Sequence, residues 1–308
     1  MKKIISMALL AAAVLSLTAC GSGSTESTSA ADSAAESTAA KENSADASET
    51  TVAETTEADV KTVTDGVLTV AISPDFAPYE FYSIGENEEP ELAGFEISMA
   101  QRIADEMGLE LDLVPMSFDG VLAEIANGTV DIGIAGLGYT EDRAEVMDFS
   151  DPYNYVKQTF VCRKEDQDKF KDVDSVNNSD VLVAVQTGST QQEVAANTIP
   201  DADILLLNKA TDMVAELIDG KVDGALMNDN AAGIFVINYP DLVISFNIPY
   251  EKMDNSGDRI AIPKGHDDMK AAVNAVIAKV MEDGSMDEYK KEAYKLAAGD
   301  IYEGLLEN

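Results

Sequence analysis

Two stretches about ninety residues apart follow one pattern: Ala123-Glu-Ile-Ala-Asn-Gly-Thr-Val-Asp-Ile-Gly-Ile-Ala135 and Ala215-Glu-Leu-Ile-Asp-Gly-Lys-Val-Asp-Gly-Ala-Leu-Met227. Each reads as a helix stopped at a glycine, after which Val-Asp opens an apolar run of strand length. A spacing this wide does not suit a short-period solenoid. It predicts two similarly built lobes.

The surrounding chain alternates in the same manner. Val67–Ile72 reads as a buried strand, followed by a turn at Pro74 and Pro78. Gly94–Met107 has helical spacing and stops at Gly108; Leu109–Val114, Phe118–Asn127 and Val130–Ala135 continue as strand, helix and strand. This order predicts an α/β fold with mostly parallel strands covered by helices. A strand at Gln158–Arg163 leaves the first lobe, and Arg259–Pro263 returns to it, ahead of helices at Asp267–Met281 and Met286–Leu296. Two strand crossovers between α/β lobes form a hinge, and a hinge forms a ligand cleft. The expected boundaries are 65–156 with 258–308 for the first lobe and 157–257 for the second.

Everything upstream differs in composition. Lys2 and Lys3 precede an apolar run from Ile4 to Leu17, too short to span a bilayer comfortably, so residues 1–20 read as a signal peptide. It ends in Leu17-Thr18-Ala19-Cys20, similar to the lipobox of bacterial lipoproteins, in which the cysteine is acylated and becomes the mature N-terminus. An anchor with more than one acyl chain holds stably where one chain would be marginal. Residues 21–64 are rich in Ser, Thr, Ala and Glu and contain no aromatic residue. Such a segment buries too little apolar area to offset its ordering entropy, which predicts a disordered tether spanning roughly 35–40 Å.

The formal charge is −36, of which residues 65–308 carry −31. So acidic a surface argues against nucleic acid and against docking on anionic lipid. After Cys20 only Cys162 remains, so an internal disulfide is excluded, and no residue spacing resembles a metal cluster. Cys162 lies in a strand-like run and reads as a small buried hydrophobe, and His266, in a polar turn, as a solvated surface residue.

One segment carries recognition chemistry. Ala135-Gly-Leu-Gly-Tyr-Thr140 is a glycine-punctuated strand end running into a threonine able to cap a helix whose first turn holds Arg143. That layout suits a small carboxylate held by a guanidinium fork and backbone N–H groups. A capped surface helix whose arginine pairs with a nearby acid has the same sequence, and the segment alone does not separate the two.

The ordered set Ser73-Pro-Asp-Phe-Ala-Pro-Tyr-Glu-Phe81, Gly94-Phe-Glu-Ile97, Phe118-Asp-Gly120, Val130-Asp131, Thr140-Glu-Asp-Arg143, Asp148-Phe-Ser-Asp-Pro-Tyr153, Val183–Thr190, Val222-Asp223 and Ile260–Gly265 resembles the family 3 extracellular solute-binding proteins, the polar amino-acid receptors of ABC importers. The likeness spans essentially all of 65–300. It implies the two-lobed periplasmic-binding-protein fold of type II. It also implies a monomeric, lipid-anchored receptor outside the cytoplasm that delivers an amino acid or related carboxylate to permease subunits, without cofactor or covalent chemistry.

The resemblance also assigns roles. Arg143 clamps the ligand's α-carboxylate, assisted by backbone at Gly136 and Gly138 and by the Ser189–Thr190 helix start. Phe76 and Phe118 pack around the ligand side chain, although core packing is the ordinary role of such residues. Ser73, Gln186, Asn228 and Asp229 complete the expected site. Ser73 and Asn228 stand where many relatives carry acids for the α-ammonium, leaving Asp229, Asp75, Glu80 or neutral acceptors for that end. Two further readings share the scaffold: a secreted dehydratase-like enzyme, with Glu80 or Asp229 as its acid, and a ligand-binding sensor component.

Overall fold

The computed structural model describes residues 60–84, 89–248 and 257–298. The signal peptide, Cys20 and the tether up to residue 59 lie outside the described residues. The first lobe begins with β1 (Val67–Ile72) and a small antiparallel sheet of β2 (Asp75–Phe76), β3 (Glu80–Ile84) and β4 (Pro90–Ala93). It continues through α1 (Phe95–Met107), β5 (Glu110–Pro115), α2 (Phe118–Asn127), β6 (Ile132–Gly138), α3 (Glu141–Val146), β7 (Met147–Phe149) and β8 (Asn154–Tyr155). The second lobe holds β9 (Gln158–Arg163), α4 (Val173–Val176), β10 (Leu182–Gln186), α5 (Thr190–Thr198) and β11 (Asp203–Leu207). Next come α6 (Ala210–Ile218), β12 (Gly224–Asn228), α7 (Asp229–Asn238) and β13 (Leu242–Asn247). The chain then returns to the first sheet with β14 (Gly257–Pro263), followed by α8 (Asp267–Glu282) and α9 (Ser285–Ala298).

The two large sheets share one arrangement. Their orders are β5-β1-β6-β14-β7, with β8 on β14, and β11-β10-β12-β9-β13. In each, the first three strands run parallel and the fourth is antiparallel. That fourth strand is the one next to a crossover. Apolar clusters cover both faces of each sheet, as buried parallel strands require.

The repeated Val-Asp has a specific use. Asp131 accepts a hydrogen bond at Oδ2 from the Thr69 N–H (2.7 Å) while its own N–H reaches the Thr69 carbonyl. Asp223 does the same with Leu182, through Oδ2 (2.9 Å) and the backbone. A carboxylate thus pins the head of the central strand in both lobes. This shortens the strand expected at Val130–Ala135: β6 begins at Ile132, because Asp131 is spent on β1, and runs on to Gly138.

Residues 60–64, tether by composition, lie against the first lobe. Val60 packs on its core, and the Val63 N–H donates to Asp131 Oδ1 (2.7 Å). Cys162 is buried in β9, and His266 is exposed ahead of α8. Among the described residues, no helix is long and apolar enough to cross a membrane.

Candidate functional site

The cleft between the lobes is lined by Phe76, Phe118, Ala135, Gly136, Gly138 and Arg143 from the first lobe and by Gln186, Ser189, Thr190, Gln191 and Asn228 from the second. Its free space is about 20 Å³, room for a water and too little for an amino acid. Admitting a ligand therefore requires the lobes to part.

Arg143 is positioned locally. Thr140 caps α3, its hydroxyl accepting from the Arg143 N–H (3.2 Å), so the arginine falls in the helix's first turn. The residue is 9 % exposed. One guanidinium nitrogen donates to the Gly138 carbonyl (2.5 Å) and the other crosses the cleft to the Gly188 carbonyl (2.7 Å). The Phe118 ring lies 5.7 Å from the guanidinium carbon. Burial pushes the Arg143 pKa down to about 10, with attraction from Glu193 offsetting part of the effect. Both hydrogen-bond acceptors are neutral carbonyls, so the charge is desolvated without full compensation.

The facing lobe adds to this positive potential. Ser189 precedes α5 and Thr190 opens it, while Asn228 caps α7 by accepting from the Ala231 N–H (2.9 Å). The N-termini of both helices therefore meet the cleft, where they favour an anion. Of the two readings left open for Arg143, the capped surface helix does not describe a buried guanidinium at this junction.

The remaining expected residues divide. Gly136 lies in the cleft with positive φ (56°), where a Cβ would come 3.1 Å from Phe76. Its N–H, expected to face a ligand, instead donates to the Glu96 carboxylate at 3.0 and 3.2 Å. Ser73 does not line the cleft; its hydroxyl donates to Asp75 (2.9 Å), and the other Asp75 oxygen accepts from the Ala210 N–H in the second lobe (2.7 Å). Asp229 also stands outside the lining, accepting from the Lys157 N–H (3.0 Å). Its carboxylate secures the first crossover, which is why it does not reach the cleft.

Behind Gly136 sits a buried acid cluster that the sequence pattern does not reveal. Glu96 accepts from Gly136 and from the Tyr153 hydroxyl, and lies beside Glu80. Glu80 is wholly buried, and burial followed by the Glu96 charge holds its pKa well above the usual carboxylate range; its two carboxyl oxygens are buried without a hydrogen-bond partner. Asp258, from β14, is pushed up to about 7 by burial and then by Glu96. Gln191, which also lines the cleft, escaped the sequence reading although it follows Thr190 directly.

The sequence profile of the bacterial extracellular solute-binding proteins, family 3, matches residues 68–295, and the chain belongs to that family. It is 25% identical over 221 residues to the L-cystine-binding protein TcyJ of Escherichia coli (strain K12), covering 72% of this chain and 80% of that one. Against the arginine-binding extracellular protein ArtP of Bacillus subtilis (strain 168) the identity is 27% over 229 residues, 73% of this chain and 85% of the relative. The fold superposes with a TM-score of 0.72 and 33% identity on an amino acid ABC transporter substrate-binding protein, AbpA of Streptococcus pneumoniae, bound to L-arginine, covering 76% of this chain and 97% of that one. The architecture is accordingly the two-lobed type II periplasmic-binding-protein fold.

Proposed function

We propose that this chain is a monomeric extracytoplasmic receptor, lipid-anchored through Cys20, that captures an amino acid or closely related small carboxylate and presents it to an ABC permease. The observation that carries this reading is Arg143, a buried cation at the lobe junction whose hydrogen bonds go to neutral carbonyls. A ligand carboxylate entering the parted cleft exchanges those carbonyls for a charge-assisted, bidentate pair. The helix starts at Ser189–Thr190 and Asn228 add donors from the opposite lobe, so the carboxylate is held best when the lobes close. Gly138 brings backbone, and Phe76 and Phe118 bring apolar faces to the ligand's side chain.

Neutral acceptors receive the ligand's amine in this reading. Ser73, Asp75 and Asp229 are engaged elsewhere, whereas Gln186 donates its amide to Asn208 (3.2 Å) and retains its side-chain oxygen. Glu80 and Asp229, the acids available for proton donation, do not line the cleft, which supports binding over catalysis. Calorimetry against the twenty amino acids tests the reading. Stoichiometric heat without product formation is expected; turnover of a prephenate-like precursor, or silence toward every amino acid, overturns it.

A further inference from the structure

The hydroxyl of Tyr79 joins side chains from both lobes. Tyr79 follows a Pro-rich turn in the first lobe, and its ring stacks on Phe76 (centroids 4.8 Å apart) and lies tilted against Phe95 (4.6 Å). Its oxygen lies within hydrogen-bond distance of four side chains. It donates to Asp258 Oδ2 (3.0 Å) and accepts from Asn154 Nδ2 (3.1 Å), Asn228 Nδ2 (2.9 Å) and Asn230 Nδ2 (3.2 Å). These residues come from distinct parts of the machine. Asn154 and Asp258 sit opposite one another where β8 and β14 leave and re-enter the first lobe. Asn228 and Asn230 start α7 in the second lobe, and Asn228 lines the cleft.

A phenol has one hydrogen and two lone pairs. Asp258 takes the hydrogen, and Asn154 from the same lobe takes one lone pair. The second lone pair is left for the second lobe, where the Asn228 contact is shorter than that of Asn230. The arrangement is secured from outside: Lys290 donates to Asn154 Oδ1 (2.7 Å), and Asn230 Oδ1 accepts from the Tyr294 hydroxyl (2.9 Å). The half of the network within the first lobe stands without the second lobe, and the half that crosses the cleft forms only when the lobes meet.

We propose that the Tyr79 hydroxyl is an inter-lobe clasp, a positioning residue that holds Asn228 at the cleft wall, ties closure to both crossover strands and sets how long a captured ligand stays. The ligand-retention part rests on the receptor reading; the clasp itself does not. A single buried hydrogen bond made only on closure shifts the closed population about tenfold. The bond holds the closed lobes whether the cleft is empty or filled, so it slows ligand release and also the opening that precedes capture.

The test is Tyr79→Phe in the full chain, which keeps the aromatic stack. Amide hydrogen exchange of the ligand-free protein reads the clasp directly. The Ala210 N–H bonds to Asp75 across the cleft and is exposed only when the lobes part. Its exchange should quicken by about tenfold, while β1 amides in the first-lobe core keep their rate. For an amino acid that binds the parent, the dissociation rate should rise about tenfold, while Kd changes by less, because the same bond also holds the empty cleft shut and its loss eases capture as well as release. Asn230→Ala removes both its Tyr79 contact and its Tyr294 contact, so it is paired with Tyr294→Phe, which of the two removes only the latter. A faster Ala210 exchange in Asn230→Ala than in Tyr294→Phe gives the Tyr79 share and serves in place of Tyr79→Phe if that variant does not fold. Unchanged Ala210 exchange in a folded variant overturns the clasp. Equal acceleration of Ala210 and β1 also overturns it, because the hydroxyl then serves only general stability. If no amino acid binds the parent, the receptor reading fails, while the exchange result still decides the clasp.

Discussion

Replacing Arg143 by methionine separates function from stability more cleanly than any other change at this site. The stem volume is kept and the charge and fork are lost. In the ligand-free protein, a pKa held down at about 10, well below that of a free guanidinium, corresponds to about 3 kcal/mol of unfavourable burial of the cation. Methionine relieves that cost but leaves the Gly138 and Gly188 carbonyls without their donor, at about 1–3 kcal/mol each. The net of the two effects lies within about 3 kcal/mol, so Tm should move by less than about 12 °C for a protein of this size. Binding has no such compensation. A buried ligand carboxylate facing methionine loses about 2–5 kcal/mol, a rise in Kd from about thirtyfold to several thousandfold. Arg143→Lys, which keeps the charge without the bidentate fork, should fall between. Titration calorimetry and a thermal melt on the same preparations read both quantities. Parent-like affinity in Arg143→Met would refute the anchor. A collapse of Tm by more than about 15 °C would show that the arginine is structural.

Three further outcomes are expected. Asp75, Glu80, Glu96 and Asp258 all have carboxyl pKa values raised by burial, Asp258 to about 7. The folded state therefore binds protons more tightly than the unfolded one, and this stabilisation is full below about pH 4 and lost as pH rises through 7. The carboxylates lowered by surface partners, Glu106, Asp148, Asp268 and Asp283, act only below that window. Tm should rise on moving from pH 8 to pH 5.5, and Glu80→Gln should flatten the profile; a Tm that falls over this range contradicts the assignment. Gly94 has φ 134° and a Cβ there would sit 1.9 Å from the Tyr79 carbonyl, which accepts from the Glu96 N–H. Gly94→Ala should cost about 3 kcal/mol or more, visible in denaturant melts, and a neutral result would show that α1 can shift freely. Cys20→Ser should release the protein from membranes without altering ligand affinity, and unchanged fractionation would defeat the anchor.

What the sequence made legible was chemistry confined to a few consecutive residues. The helix–glycine–Val-Asp pattern is readable because Gly128 caps α2 directly and Asp131 stands at the head of its own strand. Arg143 is readable because its cap, Thr140, lies three residues before it. The partners of buried polar groups are not readable, since such groups must be satisfied but the fold chooses by whom. Gly136 looked available to a ligand until Glu96, forty residues earlier in the chain, took its N–H. Asp229 looked like an ammonium partner until packing turned it to Lys157, seventy-two residues away.

The contacts least visible in the sequence are the ones that join the lobes. Tyr79 meets Asn228 across 149 residues and Asp258 across 179, and no periodicity encodes either pairing. Yet the groups that close the cleft are also those that line it: Arg143 reaches Gly188, and Asn228 reaches Tyr79. Closure and ligand contact thus draw on the same hydrogen bonds. A ligand carboxylate competes with the Gly138 and Gly188 carbonyls for Arg143 and weakens one inter-lobe bond as it forms its own. The Tyr79 contacts face no such competition. The empty cleft is therefore held shut by Arg143 and Tyr79 together, and the filled cleft by the ligand and Tyr79. For that reason Tyr79→Phe should loosen both states, whereas Arg143→Met should abolish the second while only partly loosening the first.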